Sequence, residues 1–207
     1  RFNDAFLQLV AEDLNVATAG VRPVIVYLNG EFWGFYYLRE HYADVYFQYN
    51  YDVDKDDVQY FDYVGGNYVV SDGDEQEAGA FIDEMNAFLS NPEKNFGDDA
   101  VFNEFFSKYV DEESMTDYII MQTWCGNWDG IGNRNNHRLW RVRTEEAGNQ
   151  YTDGKLRFVL HDLDMGMLGD DTLNGQYKNL LSLNSPFSVA FYNIFNRALS
   201  NEGYRFR

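Results

Sequence analysis

Two stretches rich in Asp, Asn and Gly, Trp124–Arg143 and Leu156–Gly169, constrain this chain most. The first reads WCGNWDGIGNRNNHRLWRVR, and the second reads LRFVLHDLDMGMLG. Each combines a predicted strand with a polar loop. Four polar side chains stand at the strand ends or in the adjoining loops: Asp129, Asn136, Asp162 and Asp164. Oxygen ligands of this kind suit a hard divalent cation such as Mg²⁺ or Mn²⁺.

The same residue types are also common in turns, because Asx side chains bond their own backbone and Gly accepts positive φ. Residue type alone therefore supports two interpretations equally, a structural turn and a metal-binding site. The set does match the needs of phosphoryl transfer, which takes one Asp near the attacking hydroxyl and an Asn and an Asp on metal.

Three patterns together resemble the CotH family, which is named for a spore-coat protein. The two stretches contain N-W-D-x(6)-N-x(3)-W-R and then D-L-D-x-G-x-x-G. Upstream, Val26–Tyr42 is similar to that family's NG-x-[YF]-W-G-x-Y-x-L-x-E hairpin. The patterns occur in the family's order and cover the chain from Arg1 to about Gly169. The resemblance implies an α+β, atypical protein-kinase-like fold, mostly its C-terminal-lobe portion plus an aromatic β-hairpin. For some members it also implies ATP-dependent protein phosphorylation.

The resemblance implies a role for each polar residue. Asp129 would accept or orient the proton of a protein Ser or Thr hydroxyl. Asn136, Asp162 and Asp164 would hold Mg²⁺ or Mn²⁺. We expect both aspartates of the second stretch to face one metal ion, because residues i and i+2 of an extended segment point the same way. Asn136 follows Asp129 by seven residues, whereas the corresponding spacing in kinases is usually five. Asn135 is therefore an alternative ligand.

A kinase also needs a cation on the α- and β-phosphates of ATP, usually a strand Lys paired with a Glu. The predicted hairpin Arg22–Glu40 contains no Lys. Arg39 and Glu40 are therefore the predicted nucleotide-binding residues. The family would place its basic residue upstream of Arg1, so we expect the chain to be one domain truncated at both ends.

The charge balance limits the partners. The 207 residues include 34 Asp and Glu against 16 Lys and Arg, a net charge of −18. Nucleic acid and anionic membrane surfaces are unfavourable partners, because both require a basic face. No apolar run is long enough to span a membrane. The single cysteine, Cys125, permits no intrachain disulfide. ATP and a protein substrate remain the expected partners, and the family resemblance suggests an extracytoplasmic location, secreted or at the cell surface.

Apolar periodicity predicts helices and strands in an α+β order. Helices are expected over Phe2–Leu14, Tyr42–Tyr51, Asp74–Leu89, Ser114–Trp124 and Ser188–Leu199, with a further helix capped by Asp98. Strands are expected over Arg22–Leu28, Phe32–Glu40, Val58–Val70 (one or two), Arg138–Arg143 and Leu156–His161.

The first two strands should form a hairpin, because Asn29-Gly30 is a favoured two-residue turn. Trp33 and Tyr36 fall on opposite faces by period two. We therefore expect a helix to cover at least one aromatic face of this hairpin.

Two interpretations from other classes compete with the kinase. One is a non-catalytic surface, scaffold or carbohydrate-associated module with a degenerate kinase-like fold. The other is a sugar-binding domain that uses exposed aromatic side chains, such as Trp33, Trp124, Trp128 and Trp140. His161 follows an apolar strand and is interpreted as a hydrogen-bonded structural group rather than a base.

Overall fold

The computed structural model describes residues 2–64, 67–127, 129–130, 136–167 and 190–206. Helices and antiparallel strands are mixed along the chain, so the α+β class is confirmed. The helices are α1 (Phe2–Val10), α2 (Asp44–Tyr51), α3 (Glu75–Ser90), α4 (Asp99–Lys108), α5 (Glu112–Cys125), α6 (Ala190–Ala198) and α7 (Glu202–Arg205). The strands are β1 (Val21–Leu28), β2 (Glu31–Arg39), β3 (Val58–Val64), β4 (Asn67–Asp72), β5 (Arg138–Val142) and β6 (Arg157–Val159).

Each predicted helix is present, with shifts at the ends. The first ends at Val10 rather than Leu14, because the chain turns there and Leu14 N bonds Ala11 O at 3.0 Å. The predicted start signal of the helix after Asp98 is confirmed. Asp98 accepts from Ala100 N at 2.8 Å, as an N-cap residue should. Of the last predicted helix, residues 188–189 lie outside the described part of the chain.

Two antiparallel sheets carry the strands. β1 and β2 form a two-stranded sheet, and the other four strands form a sheet in the order β4-β3-β5-β6. The predicted pairing across Asn29-Gly30 is confirmed, since both residues have positive φ (52° and 86°), as this turn requires. The expected helical cover on the hairpin is wrong. Trp33 is 59% exposed and Tyr36 is 46% exposed, so helices bury neither ring.

The four-stranded sheet has a hydrophobic cluster on each face. On one face Phe61, Leu139 and Phe158 pack with helices α1, α3, α4 and α5. On the other face Tyr60 and Trp140 pack with α2. Both faces of the sheet are therefore buried, and the strands also carry buried polar side chains, Gln59, Arg141 and Arg157, among the apolar ones. The sheet thereby becomes the rigid support from which the loops around residues 129, 136 and 162 project.

Trp140 belongs to this core. It is 1% exposed and stacks on Phe47 with ring centroids 4.4 Å apart. The hypothesis that it is an exposed sugar-binding aromatic is therefore wrong. Trp33 and Trp124 are exposed at 59% and 46%, and Trp128 lies outside the described residues.

A buried ion network fixes the start of β6. Arg157 is 4% exposed and donates to Asp153 Oδ1 at 2.8 Å, to Asp153 Oδ2 at 3.0 Å and to Asp111 Oδ2 at 3.2 Å. Lys155 Nζ lies 2.8 Å from Asp153 Oδ2. Burial acts to raise the pKa of Asp153, but hydrogen bonds from Arg157 and Lys155 outweigh it and lower that pKa to about 2.

This network predicts a pH dependence of stability. A carboxylate whose pKa is lower in the folded state stabilises the fold above its unfolded pKa, near 4. That stability is lost as pH falls toward the folded pKa. We therefore expect the free energy of unfolding to fall more between about pH 5 and about pH 2 in the wild type than in Asp153→Asn. Urea titrations at both pH values measure it, with Asp13→Asn, an exposed aspartate, as control. Equal pH slopes for wild type and Asp153→Asn would contradict the assignment.

Among the described residues, no helix combines the length and the apolar composition needed to cross a membrane.

Candidate active site

The end of α5 sets the start of the site. Gly126 adopts φ 64° as the C-cap, a left-handed conformation that favours glycine. Asn127 follows and is fully buried. Its Nδ2 donates to Gln122 Oε1 at 2.9 Å and reaches Asp162 O at 3.5 Å. One buried amide therefore ties the helix end to the second of the two stretches.

Gly130 packs tightly against the same helix end. A Cβ at this position would lie 2.6 Å from Gln122 Oε1 and 2.9 Å from Asn127 Nδ2. These distances are shorter than real Cβ contacts, so glycine allows the backbone at residue 130 to lie against the end of α5.

Three of the predicted residues line one cleft. Asp129, Asn136 and Asp162 surround a cavity of about 390 Å³. Asn136 Nδ2 donates to Asp129 Oδ2 at 3.1 Å and to Asp162 Oδ2 at 3.4 Å. Asn136 has φ 60°, a left-handed value for which Asn is among the better-tolerated side chains. The asparagine thus bridges two carboxylates from distant parts of the chain.

Asp164 does not line this cleft. The expectation that an extended backbone turns both aspartates toward one point is wrong, because Asp162 adopts φ 51° and residues 164–167 form a turn. The alternation of side chains along a strand does not apply to such a backbone. Asp164 still acts electrostatically on Asp162, whose pKa it raises.

The cleft concentrates negative charge. Burial raises the pKa of Asp162 above its ordinary value, and the carboxylates of Asp164, Asp4 and Asp129 raise it further, while Arg39 lowers it. A divalent cation would offset this repulsion, and carboxylate and amide oxygens are the ligands that Mg²⁺ or Mn²⁺ prefers. These residues therefore fit a metal ion.

Among the described residues, a metal site made only of acids, His or Cys is not found. Within the part of the chain that the structure describes, no group of three or more His, Cys, Asp or Glu side chains could hold a metal ion. The candidate set has two carboxylates, and its third ligand is the Asn136 amide. Asn135, the alternative ligand, lies outside the described residues.

Asp62 and Arg138 also line the cleft, although no motif in the sequence marks either of them as a functional residue. Arg138 Nε lies 2.7 Å from Asp62 Oδ1, and its Nη1 donates to Tyr60 OH at 2.9 Å. The only sequence signal for Arg138 is its place two residues after Asn136, at the start of β5. Asp62 comes to the cleft through the pairing of β3 with β5, which no local pattern predicts.

Two histidines lie close to the site and are kept neutral. Burial lowers the pKa of His137 to about 3 and the pKa of His161 to about 4. His137 Nδ1 lies 3.1 Å from Tyr118 OH. Neither is suited to gain a proton near neutral pH, which agrees with the structural interpretation of His161.

The two predicted nucleotide-binding residues are neighbours in the chain, but their side chains contact different partners. Arg39 forms an ion pair with Asp4 and is close enough to Asp162 to lower its pKa. Glu40 accepts from Gly20 N at 2.7 Å and lines a separate cavity of about 500 Å³. That larger cavity contains none of the three residues of the cleft. Charge and hydrogen-bond geometry therefore favour the smaller cleft as the candidate active site.

Comparison with known proteins assigns the chain to a family. No curated protein matches the sequence. The model of the CotH kinase protein family matches residues 1–207, the whole length, which extends beyond the three patterns that carry the resemblance. The chain belongs to the CotH kinase family.

Proposed function

We propose that this chain is a CotH-like atypical protein kinase, which transfers the γ-phosphate of ATP to a protein hydroxyl with Mg²⁺ or Mn²⁺. The observation that carries the proposal is the Asn136 bridge between Asp129 and Asp162 in one acidic cleft. Family membership supports the same reaction class. We also propose an extracytoplasmic location for it, on the family resemblance alone.

The order of elements supports a kinase-like arrangement. Helix α5 leads to the loop of Asp129, the antiparallel β5–β6 pair follows, and Asp162 comes directly after it. Kinases place a catalytic Asp, a metal-binding Asn and a metal-binding Asp in this order along the chain.

Asp162 and Asn136 would hold the metal ion, because both line the cleft and the raised pKa of Asp162 means that its charge is unfavourable without a cation. The Asn136 amide would turn its oxygen toward the cation, in place of the nitrogen that faces the two carboxylates here. When bound, the metal ion would supply positive charge that offsets the negative charge developing during transfer. Arg138 stands at the rim with its guanidinium on Asp62 and Tyr60. Of the two arginines of β5, Arg138 is the one that lines the cleft, where it could meet a phosphate group.

Asp129 is the candidate base. In the proposed step the acceptor hydroxyl oxygen bonds to the γ-phosphorus, and the bond from that phosphorus to the β–γ bridging oxygen breaks. ADP leaves with that electron pair, and the hydroxyl proton moves to an Asp129 carboxylate oxygen. Asn136 Nδ2 donates to Asp129 Oδ2, which orients the carboxylate for this transfer.

The proposal is tested by incubating the protein with radiolabelled ATP, casein as acceptor, and Mg²⁺ or Mn²⁺. Label on casein or on the chain itself, dependent on the metal, supports the kinase. No transfer and no nucleotide-dependent rise in melting temperature with either metal would overturn it. That outcome would favour the non-catalytic scaffold module.

Replacing Asp162 separates binding from folding. Asp162→Ala should abolish the rise in melting temperature that Mg²⁺-ATP or Mn²⁺-ATP produces. Without metal its melting temperature should be unchanged or slightly higher, because the raised pKa of Asp162 means that its charge opposes folding near neutral pH. Thermal melts with and without metal-nucleotide measure both effects. Asp83→Ala, on the exposed side of α3, is the matched control. A large loss of metal-free stability with nucleotide binding intact would identify Asp162 as a structural turn residue instead.

A further inference from the structure

Helix α1 holds the segment that carries Asp162. Asn3 Nδ2 donates to Gly166 O at 3.0 Å, and Gln8 Nε2 donates to Leu160 O at 2.9 Å. Between them, Asp4 Oδ1 accepts from Leu163 N at 2.7 Å. Three side chains of one helix thus bond the backbone on both sides of Asp162, although nothing in the two stretches or in α1 itself suggests this contact.

Asp4 is an unusual member of this set. It is 1% exposed, and a buried carboxylate is costly unless it is paired and hydrogen-bonded. Its second oxygen forms an ion pair with Arg39 at the end of β2, and its first oxygen bonds the Leu163 amide. An uncharged side chain at this buried position would cost less free energy to desolvate. The presence of a carboxylate therefore requires a specific explanation.

The geometry around Asp162 supplies one. Leu163 N–H belongs to the peptide unit that joins Asp162 to Leu163, and the orientation of this unit fixes ψ of Asp162. The carbonyl of the same unit receives Asn127 Nδ2 at 3.5 Å. The unit is therefore held at both ends, by Asp4 on its N–H and by Asn127 on its C=O. Asp162 itself has φ 51°, which costs energy for a residue other than glycine and persists only where the surroundings enforce it.

We propose that Asp4 is a positioning residue for Asp162: with Arg39 as its counter-ion, it fixes the peptide unit after Asp162 and so aims that carboxylate at the metal ion. This rests on the proposed function, in which Asp162 is a metal ligand. Arg39 then acts through Asp4, in a role that differs from direct binding of nucleotide. The same contacts make the direction of Asp162 depend on how α1 is docked.

The effect on metal affinity is predictable. Outer partners that orient a metal ligand typically change affinity by about 10- to 100-fold when removed. Asp4→Ala should weaken Mn²⁺ binding by about that factor, in the presence of the non-hydrolysable ATP analogue AMP-PNP. Binding is read from the loss of the free Mn²⁺ signal in electron paramagnetic resonance, well below the melting temperature of each variant. The double variant Asp4→Asn with Arg39→Gln keeps an acceptor for Leu163 N–H without leaving either charge unpaired. It should recover most of the affinity.

Gln8→Ala is the matched control. It removes a hydrogen bond from the same helix to the same segment, but to Leu160 O rather than to the peptide unit after Asp162. It should lower stability while keeping Mn²⁺ affinity close to that of the wild type. In metal-free protein, amide exchange of Leu163 should become faster in Asp4→Ala and not in Gln8→Ala.

The outcomes separate the two proposals. If the wild type binds no Mn²⁺ with AMP-PNP, the proposed function fails and the positioning role falls with it. If the wild type binds and Asp4→Ala binds equally well, only the positioning role is overturned. Equal losses of affinity in Asp4→Ala and Gln8→Ala would also overturn it, since they would show general loosening of the helix.

Discussion

Asp129→Asn is expected to lower kcat for phosphate transfer by about 10²- to 10⁴-fold, the usual contribution of a positioned base. The replacement keeps size and shape, and its amide oxygen can still accept from Asn136 Nδ2, which now lies 3.1 Å from Asp129 Oδ2. What it loses is the ability to take the hydroxyl proton. The apparent affinity for metal-nucleotide should change little, because a group that acts mainly in the transition state contributes little to ground-state binding. Initial-rate assays with Mn²⁺-ATP and melts with AMP-PNP measure the two quantities.

Asp62→Asn is an informative comparison for this experiment. Asp62 lines the same cleft, but its Oδ1 lies 2.7 Å from Arg138 Nε, and Asn136 does not bridge it to another carboxylate. Its replacement should change KM for ATP more than kcat, because it removes the ion pair that holds the Arg138 guanidinium in place. If Asp129→Asn lowers kcat no more than Asp62→Asn does, Asp129 is not the base.

Trp140→Ala is expected to lower the free energy of unfolding by about 3–5 kcal/mol, the usual cost of removing a large buried aromatic side chain. Trp140 is 1% exposed, stacks on Phe47, and lies with its ring centroid 4.6 Å from that of Tyr51. It also stands in the middle of β5, between β3 and β6. The cavity would therefore open at the centre of the sheet that supports the cleft, where the neighbours have little freedom to collapse.

Urea denaturation followed by circular dichroism measures this loss. Trp33→Ala provides the matched control, because it removes the same side chain from the hairpin at 59% exposure. Its effect should stay within about 0.5 kcal/mol. A loss below about 1 kcal/mol in Trp140→Ala would mean that the aromatic cluster is loosely packed.

Local signals predicted the elements well. Asn29-Gly30 fixed the hairpin because few other dipeptides favour two successive positive φ values. Asp98 marked a helix start because its carboxylate satisfies a free N–H of the first turn. The loops of Asp129, Asn136 and Asp162 could be placed together because each follows or precedes a strand or helix of the same core. Family patterns supplied their roles.

The remaining features depend on contacts between distant parts of the chain. The pairing of β3 with β5 brings Asp62 to the cleft across a separation that no periodicity reveals. The left-handed backbone of Asp162 is enforced by Asn127 and Asp4, so the sequence around Asp162 could not predict where Asp164 points. The exposed hairpin is a further case. Its aromatic residues indicate a surface that can pack against another element, but they do not indicate which element, if any, covers it.

The docking of α1 also has a consequence for the order of folding. Its three hydrogen bonds to the segment around Asp162 join residues separated by 152 to 163 positions. Contacts of this span require the closure of a long loop before they contribute any stability, and they form late for that reason. During synthesis the helix leaves the ribosome long before its partner does. We therefore expect secondary structure and much of the sheet to form while the candidate site is still unassembled, so that the site becomes competent late in folding.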